Sequence, residues 1–268
     1  MHPVLFKLGN FTVYSYGLMA AAGVGIAAFL VLRRAKRLGI PEEILYNLVV
    51  MVIVAGILGG RLTHVLAEWS YYRKHLIEVL FLRQGGLAIQ GAVLFGLVSG
   101  VWYLRAKKVP ALPVTDVFFL YLPVGQAVGR LGCLLNGCCY GKPAEIPFAV
   151  QFPFLPYRVH PTQVYDALAN LSLFFVLSLF AKTEQKSGVV TGWYFVLYGF
   201  SRWVLDNFRG DLLPRFLGFY TTQWYAMFFT FLGIGLLLKR SFHGYSGSKV
   251  RGFFGGNSGK DSQGCPKD

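Results

Sequence analysis

Apolar runs of near-membrane length alternate with short polar stretches along this chain, and seven such runs stand out, four of them free of charge: residues 14–32, 44–60, 87–104, 114–128, 164–181, 189–205 and 223–238. A hydrocarbon core about 30 Å thick is crossed by about 20 helical residues, with about 17 to 25 tolerated. The pattern therefore predicts an all-α integral membrane protein with seven transmembrane helices. Four runs carry polar groups at membrane depth: Asp116 and Gln126 in the fourth, Gln90 in the third, Asp166 near the start of the fifth, and Arg202, which interrupts the sixth. Residues 62–86 mix His64, Glu68, Arg73, Lys74, His75 and Glu78 with Trp69, Tyr71, Tyr72 and Phe81, and are read as an amphipathic arm at the outer interface. The first twelve residues lack the basic start and small-residue cleavage site of a secretory signal, so the first helix is expected to remain in the mature protein.

Composition supports this reading. Of 268 residues, 54% are hydrophobic and 14% charged, which excludes a water-soluble globule. The net charge of +14 does not make the chain a nucleic-acid binder, because its cations fall between the apolar blocks. Fifteen follow the odd-numbered helices and eleven fall on the other side, which places the N-terminus outside and the C-terminus in the cytoplasm. Residues 1–242 are thus expected to form the transmembrane domain, and 243–268, rich in Gly, Ser and Lys, a disordered cytoplasmic tail. Cys265 lies in that tail without the aliphatic neighbours of a prenylation signal.

The cations also differ in kind. Nine of the fifteen inner ones are lysine, whereas eight of the eleven outer ones are arginine: Arg61, Arg73, Arg83, Arg130, Arg158, Arg202, Arg209 and Arg215. The guanidinium fork matches a phosphate with two parallel hydrogen bonds and keeps its charge when desolvated. Interfacial snorkelling accounts for Arg73, Arg83 and Arg215; the others need a local explanation.

Three stretches concentrate chemistry. Residues 129–142 read Gly-Arg-Leu-Gly-Cys-Leu-Leu-Asn-Gly-Cys-Cys-Tyr-Gly-Lys, and the glycines predict non-helical backbone lining an enclosed cavity. The spacing of Cys133, Cys138 and Cys139 does not match usual zinc motifs, so no metal or other cofactor is expected. In residues 201–211, helical periodicity puts Arg202, Asp206 and Arg209 on one face. Two arginines against one carboxylate then leave surplus positive charge for an anionic ligand. Residues 158–166 start the fifth helix with His160, Gln163, Tyr165 and Asp166. Gly85-Gly86 ahead of Gln90-Gly91 suggests a sharp turn or close backbone approach.

Taken together, His2-Pro3-Val4 with Tyr16-Gly17-Leu18-Met19, Gly59-Gly60-Arg61, Gly85-Gly86, Gly129-Arg130-Leu131-Gly132 with Asn136-Gly137 and Gly141, His160-Pro161-Thr162-Gln163 with Tyr165, and residues 202–211 resemble the prolipoprotein diacylglyceryl transferase family. The likeness runs from His2 to about Arg240. It implies a multi-pass enzyme of the bacterial inner membrane that moves the diacylglyceryl group of phosphatidylglycerol onto the lipobox cysteine of a prolipoprotein, releasing glycerol phosphate. The partners so implied are phosphatidylglycerol, the prolipoprotein signal peptide and membrane lipid, with no nucleic acid. By this likeness Arg130 and Arg202 match essential arginines and Tyr16 a tyrosine of the site.

Three positions depart from the family pattern: Gln90 stands where it has histidine, Cys133 where it has asparagine, and Cys138 where it has glutamate. The expected catalytic set is Arg130, Arg202, Tyr16, Gln90, Cys133 and Cys138, with Arg61, Asn136, His160, Gln163, Asp206 and Arg209 binding substrate. Since Gln90 cannot take a proton, Asp206, His160 or Tyr16 is left to accept one from the substrate thiol, unless the positive field ionises it unaided. Two alternatives are a divergent paralogue with another acceptor, including a route through Cys133 or Cys138, and a phospholipid-binding membrane protein without the chemistry.

Overall fold

A computed structural model describes residues 2–8, 11–37, 40–81, 86–182, 187–212 and 215–242. The expected tail and the Arg83 and Gly85 positions lie outside the described residues. In chain order the elements are strands β1 (Val4–Leu8) and β2 (Phe11–Tyr14), helices α1 (Ser15–Arg37), α2 (Glu42–Ala67), α3 (Trp69–Tyr72), α4 (Ile89–Ala106) and α5 (Ala111–Asn136), strands β3 (Val150–Gln151) and β4 (Arg158–Val159), helices α6 (Thr162–Lys182) and α7 (Val189–Leu205), strands β5 (Arg215–Phe216) and β6 (Phe219–Tyr220), and helix α8 (Thr221–Phe242). Each strand pair is antiparallel. These short hairpins were not expected in an all-helical chain.

Every predicted run is helical, and α1, α2, α4, α5, α6 and α8 are long and apolar enough to cross a membrane. Helix α7, at 17 residues, is the shortest of the seven. Large apolar side chains cover the outer surfaces, among them Phe29, Trp102, Phe175 and Phe231, each at least 61% exposed. In water such coverage would be an aggregation hazard, but against acyl chains it is the expected surface.

The described residues divide into two compact units: one contains β1, β2, α1 as far as Arg34, and α5 to α8, and the other spans Ala35 to Ala111. In the first, Leu120 of α5, Leu173 and Leu177 of α6, and Val190, Tyr194 and Phe195 of α7 share one core. Phe195 also stacks on Phe229 of α8, centroids 5.5 Å apart. The polar groups of the fourth run hold helices together. Asp116 accepts hydrogen bonds from the Gly188 N–H at 2.6 Å and the Thr191 N–H at 2.8 Å. This caps the N-terminus of α7 with a carboxylate from another helix, where orphan N–H groups and the helix dipole favour negative charge. The Gln126 amide donates to the Tyr194 hydroxyl at 3.0 Å.

In the second unit, α2 packs on α4 through small residues. A Cβ on Gly59 would overlap Phe95, and one on Gly91 would overlap Thr63 and the Gly59 carbonyl. Without a hydrophobic force between helices in lipid, close packing of this kind drives their association.

The interfacial arm is shorter than expected, because α2 continues helically to Ala67 and absorbs its first six residues. What remains is the single turn of α3 and a 3-10 turn at Leu76–Leu80. Arg61 fastens this part down: it is 5% exposed and donates to the carbonyls of Val79 at 2.9 Å, Gly86 at 3.1 Å and Glu78 at 2.5 Å. Its guanidinium also lies over the Tyr72 ring.

Candidate functional site

The three chemistry-rich stretches meet at one end of the first unit. Backbone bonds tie them: the Gly141 N–H donates to the His160 carbonyl at 3.1 Å, the His160 N–H to the Lys142 carbonyl at 3.0 Å, the Lys142 N–H to the Phe208 carbonyl at 2.8 Å, and the Gly210 N–H to the Tyr140 carbonyl at 3.1 Å. Gly210 approaches so closely that a Cβ would sit 2.7 Å from the Gly141 carbonyl oxygen. Three of the glycines in residues 129–142 serve close approach or turning: Gly132, Gly137 and Gly141.

The expectation of non-helical backbone from Gly129 onward is not met. Helix α5 continues through Gly129 and Gly132 to Asn136. Gly132 faces α1, where a Cβ would lie 2.8 Å from the Met19 Cβ and 3.4 Å from the Tyr16 Cα. The helix ends in an ordinary Schellman cap: Gly137 has φ 77°, the Cys138 N–H donates to the Cys133 carbonyl at 3.1 Å and the Gly137 N–H to the Leu134 carbonyl at 3.3 Å. A concavity on the following segment is lined by residues including Glu145, Tyr157 and Arg158, and none of Arg130, Arg202 or Arg209 lines it.

At the centre of the site is an alternating network of guanidinium and carboxylate groups. Arg202 straddles Asp166 of α6, with Nη1 3.1 Å from Oδ1 and 3.0 Å from Oδ2, and its Nη2 lies 2.6 Å from Asp206 Oδ1. Arg130 of α5 reaches the same Asp166 through Nε at 3.2 Å. Arg209 contacts Asp206 at 3.9 Å through Nη1, and binds Asp211 through Nε at 3.0 Å and Nη2 at 2.9 Å. The predicted neighbourhood of Arg202, Asp206 and Arg209 holds, although α7 stops at Leu205 and Asp206 begins a 3-10 turn.

The expected surplus of positive charge is absent. Asp166 and Asp211 join Asp206, so three carboxylates balance three arginines. What the site keeps instead is unused donors. Among the described residues, Arg130 is held by Nε alone, and no partner engages its two terminal nitrogens. Its side chain is 21% exposed while Asp166 is 5% exposed, so the carboxylate is the more deeply buried partner. Asp206 is fully buried, and its Oδ2 is without a hydrogen bond among the described residues. The sequence places Asp166 near the start of a spanning run and in the third chemistry-rich stretch, without showing which groups it would meet. Its position was the available signal, since an ionisable group at membrane depth calls for a partner or a task.

The cysteines sit beside this network. Cys133, Cys138 and Cys139 are free thiols whose sulphur atoms all lie within 4.8 Å of one another. The Cys138 thiol donates to the Cys133 carbonyl at 3.8 Å. Gln163 donates to the Cys138 carbonyl at 2.7 Å, and Thr162 to the Cys139 carbonyl at 2.6 Å. Hydrogen bonds from the Cys133 and Cys138 thiols, with help from the nearby Arg209 and Arg130 charges, pull the Cys139 thiol well below the ordinary thiol range. Tyr16, in the first turn of α1, lies within electrostatic reach of all three cysteines and of Arg130. His160 shares its Nδ1 with the Tyr165 hydroxyl at 3.1 Å and packs edge-on against Phe208.

Of the twelve expected site residues, ten belong to the first unit: Tyr16, Arg130, Cys133, Asn136, Cys138, His160, Gln163, Arg202, Asp206 and Arg209. Gln90 and Arg61 belong to the second. Gln90 is exposed in the first turn of α4. Arg61 donates to backbone carbonyls of its own unit, which positions that segment.

Comparison with known proteins adds an independent line. The sequence pattern of the family described as prolipoprotein diacylglyceryl transferase matches residues 3–239. A protein from Clostridium tetani named phosphatidylglycerol–prolipoprotein diacylglyceryl transferase is 34% identical over 242 residues, covering 87% of this chain and 96% of that protein. Proteins of the same name from Thermotoga petrophila and Clostridioides difficile are 39% and 32% identical, over 78% and 80% of this chain and 75% and 85% of their own lengths.

Proposed function

The chain belongs to the prolipoprotein diacylglyceryl transferase family, and on that premise we propose that it moves the diacylglyceryl group of phosphatidylglycerol onto the lipobox cysteine thiol of a prolipoprotein, releasing glycerol phosphate. It is a transferase embedded in a membrane through several helices. The observation that carries the mechanism is the state of Arg130, whose Nε is pinned by Asp166 while both terminal nitrogens are left for an incoming anion.

Chemically, the substrate thiolate attacks the glycerol carbon that bears the phosphate ester. A carbon–sulphur bond forms as the carbon–oxygen bond breaks, and the electron pair leaves on the phosphate oxygen. Charge develops on that oxygen, where the Arg130 fork, preorganised by a buried carboxylate, donates hydrogen bonds without having to reorient. Arg202 is the strut of this arrangement: it spans Asp166 and Asp206 and holds Asp166 in place for Arg130. Arg209 adds positive charge from the loop after α7.

The thiol proton goes to His160. Asp166 and Asp206 already serve arginines, whereas the His160 ring is oriented through Nδ1 by Tyr165 and its Nε2 has no partner among the described residues. Tyr16 lines the acceptor side from α1. Gln163 maintains the loop that closes the end of α5 through the Cys138 carbonyl, and Asn136, the last residue of α5, stands beside the proposed head-group site. Cys133 and Cys138 take no part as nucleophiles, because a diacylglyceryl thioether formed on either would be a poor leaving group.

In this reading α7 supplies a seventh crossing of the bacterial inner membrane. The N-terminus is outside, and the signal peptide lies alongside the arginines at the outer leaflet, where the head group of phosphatidylglycerol is available. The test uses the full chain in vesicles of phosphatidylglycerol with a lipobox peptide. Diacylglyceryl peptide and glycerol phosphate should appear in equal amounts. Lipid that is bound but never consumed would instead make the protein a phospholipid binder.

A further inference from the structure

The transfer reaction gives the three clustered thiols no step, yet the fold takes trouble to gather them. Cys133 is on the last turn of α5, and the Schellman cap folds Cys138 back over it. Cys139 then adopts φ 62°, the left-handed region that costs a residue with a Cβ about 1 kcal/mol or more. Thr162 and Gln163, each 1% exposed, reach from the first turn of α6 to hold the Cys139 and Cys138 carbonyls. The left-handed turn lets two adjacent residues present their sulphurs to one point, which sequence spacing alone argued against.

We propose that Cys133, Cys138 and Cys139 form a trigonal all-thiolate site for a soft monovalent cation, Cu(I). A metal–sulphur bond of about 2.3 Å places three sulphurs about 4 Å apart around one ion. The three sulphurs here already lie within 4.8 Å of one another, so a small contraction closes the site. Soft thiolate donors select soft ions. Among the described residues no histidine, aspartate or glutamate joins the group, so Zn²⁺, which calls for four ligands, is poorly served, while a three-coordinate monovalent ion is complete. Three thiolates around one monovalent cation carry a net charge of two minus, and the positive groups facing them are Arg130 and Arg209, both within electrostatic reach of Cys139. Binding releases the thiol protons to solvent and involves no change of oxidation state.

The experiment titrates the full chain, reduced and held in detergent without oxygen, with Cu(I) against a chromogenic chelator. A Cys265→Ser background removes the one remaining cysteine. One equivalent should bind, and X-ray absorption of the loaded protein should show three sulphur neighbours and no nitrogen or oxygen. Cys139→Ser should weaken binding by more than the roughly 10- to 100-fold that losing an outer-shell partner costs. Binding no tighter than in the variant with all three cysteines replaced would overturn the proposal. So would nitrogen or oxygen in the first shell, or Zn²⁺ bound in preference to Cu(I). The spectrum is taken on the unsubstituted cluster, so a variant that fails to fold does not obscure the answer, and no readout depends on lipid transfer.

Discussion

Asp166 is the residue on which the site turns. It is buried, it receives both Arg130 and Arg202, and it joins helices α5, α6 and α7 through charge. Removing one partner from a buried ionic group leaves the others uncompensated, at a cost of about 3–5 kcal/mol. Asp166→Ala should therefore lower unfolding stability in detergent by about that amount, while Asp211→Ala, whose side chain is 22% exposed, should cost about 1 kcal/mol or less. Equal effects of the two would show that Asp166 is no keystone. His160→Gln should leave stability nearly unchanged but slow transfer by about 10²-fold or more, the usual worth of a positioned acid or base. A variant with normal turnover would move the proton to another acceptor. At this scale the sequence was informative about which residues meet and misleading about their charge balance. Arg202, Asp206 and Arg209 are close in the chain and their adjacency follows from helical periodicity, but Asp166 comes from another helix and its partners could not be counted in advance.

Among the elements, the helical runs were legible because lipid imposes length and apolarity on every crossing helix. The glycines were harder. A glycine that supplies a left-handed turn and one that supplies room for a neighbouring helix look identical in a sequence. Gly137 is of the first kind, with φ 77°, whereas Gly132 is of the second, facing Met19 from within α5. The membrane-depth carboxylate Asp116 has a definite task as the cap of α7. Asp116→Ala strands two backbone donors and should destabilise the protein by about 1–2 kcal/mol, as loss of a strong cap does, with hydrogen exchange at Gly188 and Thr191 rising first. Unchanged exchange there would refute the capping role. In the second unit, Gly91→Val should lower the melting temperature, because its side chain has no room beside Thr63 and Gly59, whereas Gly25→Ala in α1 meets nothing within 4 Å and should be tolerated.

In the whole molecule, a membrane scaffold carries at one end of its larger unit the helix-borne guanidinium–carboxylate network that is proposed to seat a phosphate. The outward N-terminus is a topological expectation, and reporter fusions at residues 2 and 242 should report opposite sides of the membrane. The central claim is narrower: the two terminal nitrogens of Arg130, held in place by Asp166, seat the phosphate of the lipid donor. Lysine at that position keeps the charge but has no fork and cannot be fixed through one nitrogen while presenting two others. The direct measurement is the transfer rate of Arg130→Lys relative to the unsubstituted chain, in phosphatidylglycerol vesicles with a lipobox peptide and with folding checked by unfolding temperature. A loss of about 10²-fold or more in kcat/KM at unchanged stability is predicted, in line with removal of one preorganised donor pair from an oxyanion site. Near-normal turnover would show that positive charge alone suffices and would contradict the claim.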